Sequence, residues 1–556
     1  MKNMIRRVIV TFLTVTLAAA SLTGCGTSGG GGKNGDTDQL LEVYCWQAGY
    51  GTEWLEALLK DFGEQDWVKE KYPNYSYKTV INDENTYGQT RITNPDSNTI
   101  DLLFTQDMEW YYGNEDYLLD LTDPVFNSEI PGENGRKFID KVMPDVLDML
   151  AYLPEGSENA KYYSVPWSTS ILGLVYNETL LEELGLSVPR TTDELFALME
   201  TVKGWGGKKS AYPYTYSLIS SQIPYIDSMF TEWWAQYEGV ENFKNFWNGI
   251  DEDGVRNSVK IFEQQGRLES LKIMEKLHRE EYGYYDRSSS NYDFIQGQSR
   301  LPIRQGLFFG NGDWFSNEMK DLALGYKEQG YDDKMGMMTT PVISSIVEKT
   351  PTVKETAAAE GKTPDEILSA IVAEIDEGKT ASSYGTVSRV DFDRIREARG
   401  IVYNIASTSN GVIPANASAK DVAVDFLRYM ATDRANTIYC ENTSGGRLPF
   451  NFSLERDNKE EFDKMMAETE NTFNLQAECS RLMIRDFTIM LPYYLTFPLG
   501  RDGGVKYIAG CESDGINTLF VTYDKSSQYI FDKTIEYWNE NNQARWNRAL
   551  SQAGLN

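Results

Sequence analysis

Asp107, Glu109 and Trp110 stand together in TQDMEWYY (105–112), directly after the apolar run TIDLLFT (99–105). Trp46 and Gln47 close a second such run, LLEVYCWQ (40–47), and Asp313 and Trp314 follow a third in GNGDW (310–314). Carboxylates and amides that accept from hydroxyls, beside flat indole faces, make a site for a polar ligand with apolar faces. Trp167 in VPWSTS, Trp234 in EWWAQY and Arg447 in ENTSGGRLPF add two further platforms and a donor. Each has a plainer reading. Any of these Trp residues can be core, and one ring of the Trp233–Trp234 doublet is expected to be buried. Asp313 is read more readily as the cap of a helix beginning at Trp314, and Arg447 equally as half of a surface ion pair. Asp107 with Glu109 or Asp313 also suggests the carboxylate pair of a glycoside hydrolase. Carboxylates at i, i+2 share a face only on a strand, however, and these fall in a loop.

Other chemistry is largely excluded. The single His, His278 in MEKLHREE, is expected on a solvated helical face, which leaves no His-rich metal site and no Ser-His-Asp or Cys-His machinery. Cys45, Cys440, Cys479 and Cys511 show no C-x-x-C spacing and read as buried thiols. The acidic runs IDEDG (250–254) and DDK (332–334) lack the spacing of a calcium loop, and no phosphate-binding G-x-x-x-x-G-K-[ST] is present. No catalytic residue, metal or cofactor is therefore assigned. The net charge of −30 becomes more negative when Lys2, Arg6 and Arg7 are removed with residues 1–24, which argues against nucleic acid and favours a neutral ligand.

The elements that must hold these residues alternate strand and helix. After LLEVYCW comes a loop with Gly49 and Gly51, then a helix placing Trp54, Leu55, Leu58, Leu59 and Phe62 on one side. YSYKTVI (75–81) and TIDLLFT are further strands separated by a helix's length of chain, which favours a mostly parallel sheet with ligand groups at strand C-terminal ends. Ile171–Val175 is a buried strand, Asn177 caps a short helix closed by Gly185, and after Pro189 the pair Thr191 and Glu194 forms a capping box for the next helix. At 556 residues, two or more domains are expected.

The N-terminus carries its own message. Lys2, Arg6 and Arg7 precede an apolar run from Val8 to Ala20, too short for a comfortable membrane span and consistent with an export signal. The run closes on Leu22-Thr23-Gly24-Cys25, which resembles the lipobox of bacterial lipoproteins, so residues 1–24 are expected to be removed and Cys25 lipidated. Residues 25–38, rich in glycine, read as a flexible tether.

VYCWQAGYGTEWL, VPWSTSILGLVYNETLLEELGLSVPRTTDEL (165–195), RQGLFFGNGDWFSNEM (304–319) and NGVIPANASAKDVAVDFLRYMATDRANTIYCENTSGGRLPF (410–450) together resemble the extracellular solute-binding proteins (family 1) of sugar-type ABC importers. That resemblance implies an α/β periplasmic-binding-protein-like fold of two lobes, with inter-lobe hinge crossings and a ligand cleft. By analogy the crossings fall near Pro166, near GMMTTP (336–341) and shortly after Met430. Lobe one is then 39–166 and 339–435, and lobe two 167–338 and 436–556. Residues 343–400 depart from the pattern and read as an inserted surface helix around Ile367, Ile371 and Ile375. The resemblance makes the Asp107–Trp110 loop a usual ligand contact, with Trp110 of lobe one facing Trp167, Trp234 or Trp314 of lobe two. It also implies a monomer, lipid-anchored on the extracytoplasmic face of the cell membrane, that takes a carbohydrate to membrane permease subunits.

Overall fold

The structure is a computed structural model that describes residues 39–547, apart from 48, 83–84, 106–113, 153–158, 204–211, 216–222, 248, 286–287, 289–291, 405–408, 444–445, 452–486, 491–519, 522, 539–543 and 545. Two sheets organise it. The first has the order β2-β1-β3-β10-β4, from β1 (Leu40–Trp46), β2 (Ser76–Asn82), β3 (Leu102–Thr105), β4 (Val165–Pro166) and β10 (Asn410–Val412). β1 runs parallel to β2 and β3, as the spacing of the runs predicts, while β10 is antiparallel to β3 and β4. Leu41, Val43 and Cys45 point from β1 into the core that receives Trp54, Leu55, Leu58, Leu59 and Phe62 from the helix Glu53–Glu64.

The second sheet has the order β11-β9-β5-β7-β6, from β5 (Ile171–Asn177), β6 (Tyr212–Thr215), β7 (Gly306–Gly312), β9 (Ile401–Asn404) and β11 (Phe487–Met490). β8 (Met335–Met338) pairs with the C-terminal part of β5, and β9 with its start. β5 is buried along its whole length, and Ile171, Leu172, Leu174 and Val175 follow one another without the alternation of a half-exposed strand. Its exit is held as the sequence predicts: the Asn177 side chain accepts from the Leu180 amide at 2.8 Å, and Gly185 adopts φ 68°. Of the helix's apolar stripe Leu180, Leu181 and Leu184, the first two are buried and Leu184 is exposed. Thr191 accepts from the Glu194 amide, but the Glu194 carboxylate takes the Arg190 amide, so the capping box is only half formed.

The chain passes between sheets from β4 to β5, near the expected Pro166. The second passage differs from expectation. β8 and β9 both pair with β5, so the return to the first sheet comes between Asn404 and Asn410, not at 336–341. The intervening helices Pro351–Glu360, Pro364–Asp376 and Arg389–Gly400 accordingly sit on the second lobe. There Thr191 Oγ1 donates to Asp365 at 3.0 Å and the Ser344 amide donates to Thr192 Oγ1 at 2.9 Å. Ile367, Leu368, Ile371 and Val372 are buried at this contact, so the stripe marked a face correctly but not the lobe it covers. The helix Asp433–Asn442 still packs on the first lobe through Tyr439 and Trp54, so the expected boundary at 435 falls too early. The passage to β11 therefore lies beyond Phe450.

His278 is a further correction. It is fully buried with Nδ1 2.8 Å from the Met274 carbonyl, because its helix, Gln265–His278, is covered by the helices Ile223–Glu238 and Ser527–Trp538. Burial pushes its pKa down to about 4. Cys45 and Cys440 are buried, whereas Cys25, Cys479 and Cys511 lie outside the described residues.

Candidate functional site

Three extended segments run side by side where the sheets meet. Ser164 Oγ donates to Asn410 Oδ1 at 2.9 Å, the Trp167 amide to the Ser409 carbonyl at 3.1 Å, and the Thr169 amide to the Arg447 carbonyl at 2.8 Å. Over this junction lie the turn after β1 and the turn after β7. Tyr50 Oη donates to Asp313 at 2.5 Å and lies 3.0 Å from Ser170 Oγ. Asn317 Nδ2 donates to the Gly49 carbonyl at 2.7 Å, and the Trp314 ring meets Tyr50 edge-on at 6.3 Å.

Asp313 is 2% exposed, and this burial pushes its carboxyl up to about 7 against the opposing pull of the Tyr50 hydroxyl and the Arg447 charge. Glu318, one turn along the helix Phe315–Glu328, is likewise pushed up to about 7 by burial while accepting from Gln298 at 2.6 Å. Around the same corner, Asn311 Nδ2, Ser316 Oγ, Gln298 Oε1 and Tyr439 Oη are buried without a hydrogen-bond partner among the described residues. Buried groups left in this way cost stability unless something satisfies them, so they mark a place suited to a polyhydroxylated ligand or ordered water.

The structure distributes the expected residues unevenly. Asp313, Trp314 and Arg447 come together. Asp313 is not a helix cap, since Trp314 occupies that position and the carboxylate takes Tyr50 instead. Arg447 is only 6% exposed, which removes the surface ion-pair reading. Trp46 is half-buried and Gln47 exposed at the end of β1. Asp107, Glu109 and Trp110 lie outside the described residues.

Trp167 and Trp234 are core, contrary to their assignment as platforms. Trp167 stacks on Trp54 with centroids 5.2 Å apart and donates from Nε1 to the Thr105 carbonyl, while Trp234 packs edge-on to Phe243 and Phe246 and donates to Gln264. Trp233 is equally buried, with Nε1 on the Pro341 carbonyl, so neither ring of the doublet is surface. Tyr50, Ser170, Asn317, Glu318 and Tyr439 were not singled out by sequence. Only Tyr50 had a local signal, its position between Gly49 and Gly51 after a strand. Among the described residues no group of three or more His, Cys, Asp or Glu is placed to hold a metal ion.

Comparison with known proteins bears on this arrangement. Residues 48–275 match the family model of the bacterial extracellular solute-binding proteins. The chain is 26% identical over 151 residues to the multiple sugar-binding protein of Streptococcus mutans, covering 27% of this chain and 30% of that one. It is 26% identical over 292 residues to the diacetylchitobiose binding protein NgcE of Streptomyces coelicolor, covering 51% and 54%. The alignments thus span about a third and about half the length of these relatives. The GacH receptor of Streptomyces glaucescens, solved unliganded and with acarbose, superposes with a TM-score of 0.51 at 14% identity over 90% of this chain and 97% of that one, which supports the two-lobe α/β fold. The family model describes solute-binding proteins, and the names of both relatives describe binding of sugars or of diacetylchitobiose, not catalysis.

Proposed function

We propose that this solute-binding protein captures a carbohydrate, of oligosaccharide size, in the cleft between its two sheets and delivers it to the permease subunits of an ABC importer. The observation that carries the reading is the meeting of the turn after β1 with Asp313, Trp314 and Asn317 of the other lobe, over a hinge of three strands. A ligand held there touches both lobes, and binding then favours the closed arrangement because only that arrangement offers both sets of contacts. The relatives' names, sugar and diacetylchitobiose binding proteins, supply the ligand class. Trp46, Gln47, Asp107, Glu109 and Trp110 contribute from lobe one, and Asp313 and Trp314 from lobe two, with Arg447 at the hinge. The lobes part at 166–171, at 404–410 and beyond 450.

We further propose that Cys25 carries the lipid, two or three acyl chains, that keeps the monomeric protein on the extracytoplasmic face, since two chains anchor stably where one does not. Cys25→Ala then releases protein from membranes, and wild-type protein found without lipid refutes the anchor. The cleft is tested by calorimetry with a panel of oligosaccharides on wild type, Trp46→Ala, Trp110→Ala and Trp314→Ala. Removal of a stacking ring weakens binding by about thirtyfold or more, as expected for a buried aromatic anchor worth ~2 kcal/mol. Wild-type affinity in all three variants places the ligand elsewhere.

A further inference from the structure

The contact between the lobes has a steric condition attached to it. A Cβ on Gly49 would stand 2.8 Å from Cγ and Cδ1 of Trp314 and 2.9 Å from Glu318 Oε1. The indole also lies close to Gly312, where a Cβ would meet the far atoms of its six-membered ring at 2.4 Å. Glu318 is itself held by Gln298. At Gly49 the approach of Trp314 and Glu318 from the second lobe leaves no room for a side chain.

We infer that the Gly49–Tyr50 turn is a closure seat, a piece of lobe-one backbone that docks on Trp314 and Asn317 of lobe two when the lobes shut, with Gly49 setting how closely they approach. The seat rests on the reading of this protein as a two-lobe receptor that closes. Its two hydrogen bonds run from Asn317 to the Gly49 carbonyl and from Tyr50 to Asp313. They favour the closed arrangement, and the seat acts as a positioning element for the binding groups around it.

Hydrogen exchange by mass spectrometry on the full, ligand-free protein tests the seat. In wild type, peptides covering 47–52 and 313–318 are protected. In Gly49→Ala both exchange roughly tenfold faster, since an overpacked methyl at the seat shifts the closed-to-open ratio by about that factor. Exchange in β1 and β5 stays unchanged, because neither lobe's core is touched. Asn317→Ala moves the same two peptides in the same direction by a smaller factor. The inference is overturned if Gly49→Ala leaves both peptides at wild-type rates, if it changes 47–52 alone, or if it loosens β1 and β5 as well, which would make Gly49 an ordinary packing residue. No sugar enters this measurement, so its failure and the failure of the carbohydrate assignment are distinguishable.

Discussion

Replacing Trp167 with Ala separates a core ring from a ligand platform. The indole is fully buried, stacks on Trp54 at 5.2 Å with an interplanar angle of 8°, and donates to the Thr105 carbonyl at 3.2 Å. Its removal opens a cavity, forfeits the stacking and leaves the Thr105 carbonyl without that donor. Trp→Ala at such a site costs about 3–5 kcal/mol. If the first lobe melts as a unit of ordinary domain size, that corresponds to a fall in melting temperature of roughly 8–16 °C. Differential scanning calorimetry reads the shift, and Trp167→Phe should recover part of it by refilling most of the volume. A Trp167→Ala protein that melts like wild type while losing ligand would refute the packing argument and return Trp167 to the cleft.

Two buried titratable groups give opposite pH signatures. Burial pushes Glu232 up to about 8, with Thr340 and the Tyr403 amide donating to it. A raised carboxyl favours folding at low pH, and that stability is lost as pH rises through about 8, so thermal stability declines from pH 5 to 8 and Glu232→Gln flattens the decline by ~2 kcal/mol or more; an unchanged slope contradicts this. His278, pushed down to about 4, contributes stability that is present above its ordinary pKa and is lost as pH falls from about 6.5 toward 4. His278→Leu should recover on the order of 2 kcal/mol at pH 4 relative to its effect at pH 7, and urea titrations at the two pH values would show equal effects if the ring were solvated.

Local rules were legible in the sequence, and long-range packing was not. The unit from β1 through the helix Glu53–Glu64, the Asn177 cap, the left-handed Gly185 and the buried β5 all follow from residues within a few positions of one another. The Ile367 stripe revealed a buried face, but its partner, the helix beginning at Thr192, is far away in sequence. His278 was misjudged for the same reason: its charged neighbours describe one side of the helix, while Ser527–Trp538 covers another from some 250 residues on. For the candidate site, the strand-end rule pointed to Asp313 and Trp314, which the structure brings together with Tyr50, and to Trp46 and Gln47, which stand at the end of β1. It failed for Trp167 and Trp234, because a Trp beside a hinge or within a helix has the same composition signal whether its ring faces a cleft or another Trp. Tyr439 carried no signal at all, being one helical residue whose hydroxyl reaches the site only through the packing of its helix on Trp54.

The central claim, capture of a carbohydrate without turnover, is tested most directly by equilibrium dialysis of the full protein against a panel of oligosaccharides, with mass analysis of the sugar on both sides. The account predicts saturable retention of at least one oligosaccharide at about one per protein and its recovery intact after prolonged incubation. Steady appearance of shortened products in excess of protein, or no retention of any oligosaccharide, would contradict it.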